Sequence, residues 1–178
     1  MVLATLLVLS SPSAVVSMES ITRTSDKDVN CKVPIDYGSA RITSHFGERD
    51  NPFDNGRKFH FGLDIGADEG VKIRSVTDGY VYFARRSKRG GGLQVSMRDP
   101  SGLKFKYAHM SKLFVKQGEK VKAGQVIGLV GSTGKTLGAH LHLEVYWNRG
   151  RQKEDFLDPR QFVCKYRERL FKKVSRRF

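Results

Sequence analysis

The chain holds five histidines, His45, His60, His109, His140 and His142, and four of them stand in chemically suggestive company. In His140-Leu141-His142, an extended strand would place both imidazoles on one face, because successive side chains alternate. Leu141, Leu143 and Val145 then share the opposite face, which is apolar and should pack on a core. The polar face carries two imidazoles and Glu144 towards a cleft. A lone histidine there would be an ordinary core or surface residue, whereas two opposite a clean apolar face form a metal-site pattern. His60-Phe61-Gly62-Leu63-Asp64 adds a second piece. On a straight strand His60 and Asp64 would lie about 13 Å apart at about 3.3 Å per residue. Zinc–ligand bonds are only about 2 Å long. The chain must therefore bend if one ion is to hold both residues, and Gly62 is the residue that permits a bend. The two pieces together supply His, Asp and His. Three nitrogen or oxygen ligands with one open position describe a catalytic zinc site, whereas a structural zinc takes four protein ligands, often cysteines. Water at the open position becomes acidic and can attack an amide carbonyl. His109 ends the run Tyr107-Ala108-His109. It would either stabilise the oxyanion of a tetrahedral intermediate or face water as an ordinary strand-end residue.

The elements that must position these residues read as short strands. Leu93, Val95 and Met97 alternate with Gln94, Ser96 and Arg98, the pattern of a strand with one buried face. Compact apolar runs occur at Gly79 to Ala84, Leu103 to Ala108, Gln125 to Val130 and Ala139 to Trp147, with Val71, Ile73 and Val76 among charged residues. Abundant glycine between these runs indicates tight turns. No long 3.6-residue apolar repeat occurs between 37 and 162, although Ser111 to Val115 could form one helical turn. The expectation is an all-β, mostly antiparallel, sandwich-like domain.

The ends differ from this domain. Residues 1–17 combine an apolar run with small residues and resemble a secretory signal cleaved after Ser17, although no Lys or Arg precedes Arg23. The run is too short and too interrupted to span a bilayer. Residues 18–36 read as a polar linker, 37–162 as the folded domain and 163–178 as a basic amphipathic helical tail. That tail would either pack its apolar stripe on the domain or dock on an anionic envelope surface. Cys31 and Cys164 flank the domain. In an exported protein they would either be joined, with a stabilisation of up to about 4–5 kcal/mol in the chain-entropy account, or stand as two unpaired thiols. No CxxC pair is present to build a cysteine-zinc site. The net charge of +14 favours polyanions. No helix-turn-helix, zinc finger or RNP-like pattern supports specific nucleic-acid binding, so anionic envelope polymers or lipid head groups are the expected partners of the basic surface.

Taken together, these pieces resemble the lysostaphin/LytM-type zinc metallopeptidases of the duplicated hybrid motif superfamily. The matching segments are Arg41 to Gly47 (RITSHFG), His60 to Ala67 (HFGLDIGA), Val76 to Tyr80 (VTDGY) and Gly90 to Gly92. Tyr107 to Ser111 (YAHMS), Lys120 to Ser132 (KVKAGQVIGLVGS) and Gly138 to Val145 (GAHLHLEV) complete the series. The resemblance runs from about residue 38 to 162. It implies a β-sandwich-like fold with a groove over one zinc ion per chain, held by His60, Asp64 and His142. It implies that His140 acts as base or orients water, and that His109 polarises the scissile carbonyl or steadies the oxyanion. His45 matches no ligand and is expected in a structural role or in the groove wall. The implied reaction is hydrolysis of peptide cross-links in bacterial peptidoglycan by attack of zinc-bound water. The cross-link would be either a glycine bridge or the bond from D-alanine to meso-diaminopimelate. Ser132, Thr133 and Thr136 are expected to line the groove. Such an enzyme would be exported and act in the periplasm or cell envelope. Ala139, Leu143, Arg85 and Arg86 depart from common family residues, and none is at a ligand position.

Three other readings are weaker. A catalytically silent family member that regulates a cell-wall amidase would lack ligands, and here all five positions are filled. Phosphotransferase IIA domains and lipoyl or biotinyl carriers share the flavour of HFGLD and KVKAGQVIG. However, Lys120, Lys122 and Lys135 lack the context of a carrier lysine. A basic nucleic-acid module is disfavoured by the missing motifs.

Overall fold

A computed structural model describes residues 32–35, 40–88, 90–147 and 152–163. The expected disulfide between Cys31 and Cys164, the signal segment and the basic tail beyond Val163 lie outside the described residues. Along the chain run β1 (Arg41–Ser44), β2 (Gly47–Asp50), β3 (Arg57–His60), β4 (Gly62–Gly66), β5 (Lys72–Arg74), β6 (Gly79–Ser87) and β7 (Gly92–Arg98). They are followed by β8 (Lys104–Met110), β9 (Lys112–Leu113), β10 (Lys120–Val121), β11 (Val126–Leu129), β12 (His140–Tyr146) and β13 (Phe156–Leu157). The main sheet has the order β1-β4-β12-β8-β7-β6-β10, with β13 also on β12. A smaller sheet has the order β5-β11-β9, and β2 and β3 form a separate ribbon. Every strand pairing is antiparallel.

Alternation in the sequence sets which face is buried. In β12, Leu141, Leu143 and Val145 are fully buried, and His140, His142 and Glu144 are half-buried on the other face. Leu63 and Ile65 of β4 and Phe105 and Tyr107 of β8 belong to the same apolar layer, and Ile73 and Ile127 of the small sheet join it. Each such side chain contributes about 1.5–3 kcal/mol on burial. A one-residue slip of β12 would expose three of them and bury two imidazoles, so the register is strongly fixed. Ile35 is also fully buried and bridges to Ile73.

The turn expected at Ser111 to Val115 is instead extended. Lys112 and Leu113 pair with Leu129 and Gly128 of β11, and Val115 is buried while Lys112 and Phe114 are exposed. This two-residue alternation is the signal that the helical reading missed.

An aromatic row anchors the ribbon to the sheet. Ring centroids lie 5.1 Å apart for Phe46 and Phe59, 5.0 Å for Phe59 and Phe61, 4.5 Å for Phe61 and Phe156, and 5.3 Å for Phe156 and Tyr146. Pairs of this kind add about 0.5–1.5 kcal/mol each beyond area burial. They fix where β3 delivers its last residue, His60.

Candidate active site

The centre of the main sheet sets out the site in rows. Register places Asp64, His142 and Ala108 side by side across β4, β12 and β8, and Gly62, Glu144 and Lys106 in the next row. Residues directly opposite share a face, so all six look away from the core. His60 enters from the ribbon, and the chain turns at Phe61 between β3 and β4. Gly62 lies within β4, where its lack of a side chain makes room for the His142 ring. A Cβ there would stand 2.6 Å from His142 Cε1 and 2.7 Å from the Leu143 carbonyl oxygen. The glycine thus serves close approach more than the bend for which the sequence suggested it.

The bend brings three donors together. His60 Nε2 lies 3.2 Å and His142 Nδ1 2.7 Å from Asp64 Oδ1, and the two nitrogens are 3.1 Å apart. All three atoms fall within 4.8 Å of one another. Ligands at about 2.1 Å in a tetrahedron stand about 3.4 Å apart, so a zinc ion fits with a small outward relaxation. The remaining ring nitrogens are already engaged. His60 Nδ1–H donates to the His45 carbonyl at 2.7 Å, and His142 Nε2–H donates to Glu144 Oε1 at 2.9 Å. Lys106 Nζ donates to the same Glu144 oxygen at 2.9 Å. Such outer partners orient ligand imidazoles and fix which nitrogen is free. His45, expected in a structural role or in the groove wall, holds His60 through its backbone carbonyl and does not line the groove.

Electrostatics follow from this packing. Burial works against the Asp64 carboxylate, yet hydrogen bonds from His142 and His60 hold its pKa well below the usual range. Burial likewise opposes ionisation of Glu144, and its bonds to His142 and Lys106 still lower it to about 2. For His142, burial disfavours the cation, but Asp64 and Glu144 together raise it to about 9. His142 therefore favours its protonated form, and a metal held by this cluster would have to displace that proton.

His109 and His140 stand beside the three donors without joining them. His140 Nδ1 donates to the Gly138 carbonyl at 2.9 Å, and its Nε2 lies 3.6 Å from Asp64 Oδ1. His109 reaches the site by a backbone device. Between β7 and β8, Ala108 and His109 together oppose the single residue Gln94, which makes a β-bulge. His109 has φ 62°, the one non-glycine residue with positive φ among the described residues. Regular alternation would turn its ring from the face that Ala108 shares with His142. The bulge re-aims it, to 4.7 Å from the His140 ring and 5.8 Å from the His142 ring, centroid to centroid. Strained backbone of this kind persists only where its surroundings hold it. Here Thr133 does so. Its carbonyl accepts from His109 Nδ1–H at 2.8 Å, while its hydroxyl donates to the Met110 carbonyl and accepts from the Leu93 N–H. Burial keeps both imidazoles neutral, lowering His140 and bringing His109 to about 4. Each therefore presents a free Nε2.

The groove above these residues measures about 490 Å³. Of the three hydroxyl residues expected along it, Thr136 lines it, whereas Ser132 and Thr133 do not. Thr133 points inward because it holds the His109 bulge. The sequence reading missed Arg49, whose Nη2 lies 3.6 Å from Asp64 Oδ2, and Lys106. The alternation of Lys104 and Lys106 with Phe105 and Tyr107 carried the signal for Lys106. Nothing in the polar stretch Gly47–Asp50 marked Arg49.

The chain is similar to known proteins in sequence and in fold. The chain matches the sequence profile of peptidase family M23 over residues 58–155, more than half its length. It is 42% identical over 108 residues to the DD-carboxypeptidase/endopeptidase Mpg of Neisseria meningitidis, a match covering 61% of this chain and 25% of that protein. It is 36% identical over 115 residues to the peptidoglycan DD-endopeptidase ShyB of Vibrio cholerae, covering 64% and 27%. The matched region thus spans about a quarter of each relative's length. The solved catalytic domain of the antimicrobial peptidase lysostaphin from Staphylococcus simulans superposes with a TM-score of 0.62 at 32% identity, covering 68% of this chain and 90% of that one. The chain belongs to peptidase family M23, the zinc metallopeptidases to which lysostaphin also belongs.

Proposed function

We propose that this protein is a zinc-dependent endopeptidase that hydrolyses peptide cross-links of bacterial peptidoglycan. The observation that carries the reading is the convergence of His60, Asp64 and His142 donor atoms beside two neutral imidazoles in one open groove. His60 Nε2, Asp64 Oδ1 and His142 Nδ1 would hold one zinc ion. Bound there, zinc would supply Lewis acidity, acidifying a water molecule and polarising the scissile carbonyl. The Lys106–Glu144–His142 chain keeps the His142 ring turned with Nδ1 inward. His140 orients the attacking water and takes its proton at Nε2, because its Nδ1 is committed to Gly138. The proton taken up by His140 passes to the leaving amine as the C–N bond breaks, and His109, its ring 4.7 Å from that of His140, faces the developing oxyanion. The groove wall of β2 and β3 and the loop segment 135–139 hold the peptide extended between them. Activity on peptidoglycan would require export to the periplasm or cell envelope, and the net charge of +14 would suit an anionic envelope.

The test is mass spectrometry of soluble fragments released from purified peptidoglycan by the zinc-loaded protein. The expected products carry a new amine and a new carboxylate within the cross-link, and His140→Ala releases none. Fragments cut in the glycan strand, or none from any cross-link type, would contradict the proposal.

A further inference from the structure

We infer that the groove selects cross-links bearing a free carboxylate near the scissile bond, and that Lys58 and Lys135, with Arg49, are the residues that read it. This rests on the endopeptidase reading above and adds the substrate's charge to it. The β2–β3 ribbon sorts its charges by face. Arg49 lies directly opposite Lys58, and His60 follows two residues on, so all three share the face turned to the groove. On the other face both signs occur. Glu48 pairs with Lys153 at 2.8 Å, and Asp50 lies directly opposite Arg57. Like charges directly across a ribbon destabilise it. Arg49 has Asp64 Oδ2 at 3.6 Å, which leaves Lys58 as the cation of this pair without an acid of its own among the described residues.

Across the groove stands Lys135, whose Nζ rests 4.5 Å from the Phe53 ring centroid. The acids lining the groove are Asp64 and Glu144. Asp64 belongs to the proposed metal site, and Glu144 is engaged by His142 and Lys106. Lys58 and Lys135 thus face the groove without a carboxylate partner among the described residues, and a bound metal would make the groove more positive. An extended peptide lying between these walls would meet cations on both sides. A glycine bridge offers them no charge. A diamino-acid cross-link with its second carboxylate free offers one beside the scissile amide, where charge-assisted hydrogen bonds are strong.

The test measures binding by fluorescence anisotropy and cleavage by chromatography, both on the zinc-loaded protein. The probes are a cross-linked peptide dimer with the free carboxylate, the same dimer amidated there, and a pentaglycine peptide. The carboxylate dimer should bind about 10-fold or more tightly than the amide. Lys58→Gln/Lys135→Gln should abolish that preference while keeping its zinc. Lys116→Gln/Lys120→Gln, which removes the same charge outside the groove, should retain it. Equal binding of acid and amide dimers overturns the inference, as does a preference that survives the groove variant or vanishes equally in the outer one. Tight, selective binding without cleavage of any probe would count against the endopeptidase reading and leave the charge reading supported.

Discussion

Replacing Gly62 with alanine should damage the metal site without touching a ligand. The added Cβ would sit 2.6 Å from His142 Cε1, 2.9 Å from His142 Nε2 and 2.7 Å from the Leu143 carbonyl oxygen. Non-bonded carbon atoms rest about 3.5–4.0 Å apart. The carbonyl belongs to a strand locked between β4 and β8, so the imidazole must give way by about 1 Å. Metal sites tolerate departures of about 0.2 Å in ligand distance. The swing also lengthens the His142–Glu144 hydrogen bond. Losses of this kind cost about 10–100-fold in metal affinity, or about 1.4–2.7 kcal/mol. Overpacking costs about 1–3 kcal/mol against a gain of about 0.4–1 from a stiffer unfolded chain. The metal-free variant should therefore be less stable by about 0.5–2 kcal/mol on those two figures. Chelator competition near neutral pH reads the affinity, and urea melts in the presence of a chelator read the stability. Gly138→Ala is the control, because a Cβ there meets nothing within 4 Å. If Gly62→Ala bound zinc within about twofold of the wild type and melted with it, the close-approach argument would be refuted.

Other outcomes follow from the same geometry. Glu144→Ala frees His142 Nε2 and should weaken zinc binding about 10–100-fold, measured by the same competition. His109→Ala should retain zinc yet lower kcat about 10²–10⁴-fold, so a variant that loses its metal would place His109 among the ligands instead. Gly92→Ala imposes a side chain at φ 62° with its Cβ 2.3 Å from the Thr133 carbonyl oxygen. It should destabilise the protein and, by shifting Thr133, reduce activity more than zinc content. The metal-free protein should be most stable near its histidines' ordinary pKa of about 6.5. His142, raised to about 9, contributes stability that is complete below about 6.5 and lost as pH climbs through its folded value. His109, lowered to about 4, contributes stability present above about 6.5 and lost as pH falls towards that value. Melting temperatures across this range, with chelator, should show a maximum between the two limbs. Zinc should remove the alkaline limb because it replaces the His142 proton.

Much of this site was legible because it is built on regular strands. The alternation of imidazole and leucine in His140 to Leu143 fixed both the core face and the site face. The need for a bend after His60 followed from bond lengths alone. What stayed hidden depends on departures from regularity or on contacts distant in sequence. The bulge at Ala108 and His109 reverses the expected direction of one ring, and no residue type in Tyr107-Ala108-His109 announces it. Thr133 read as a groove hydroxyl because its partners, His109, Met110 and Leu93, come together only through the fold. β2 and β3 are too polar to read as strands, so the row of Arg49, Lys58 and His60 on one ribbon face was invisible. At Lys112–Leu113 the alternation of Lys112 and Phe114 with Leu113 and Val115 was present but brief, and the pairing with β11 that fixes the strand comes only with the fold.

The most direct test of the account is a crystal structure of the zinc-loaded protein with anomalous data at the zinc edge. The account predicts one peak per chain, about 2.0–2.2 Å from His60 Nε2, Asp64 Oδ1 and His142 Nδ1, with His109 and His140 uncoordinated and facing the open position. A peak held by His140 in place of His142, a fourth protein ligand closing the site, or no peak at saturating zinc would contradict it.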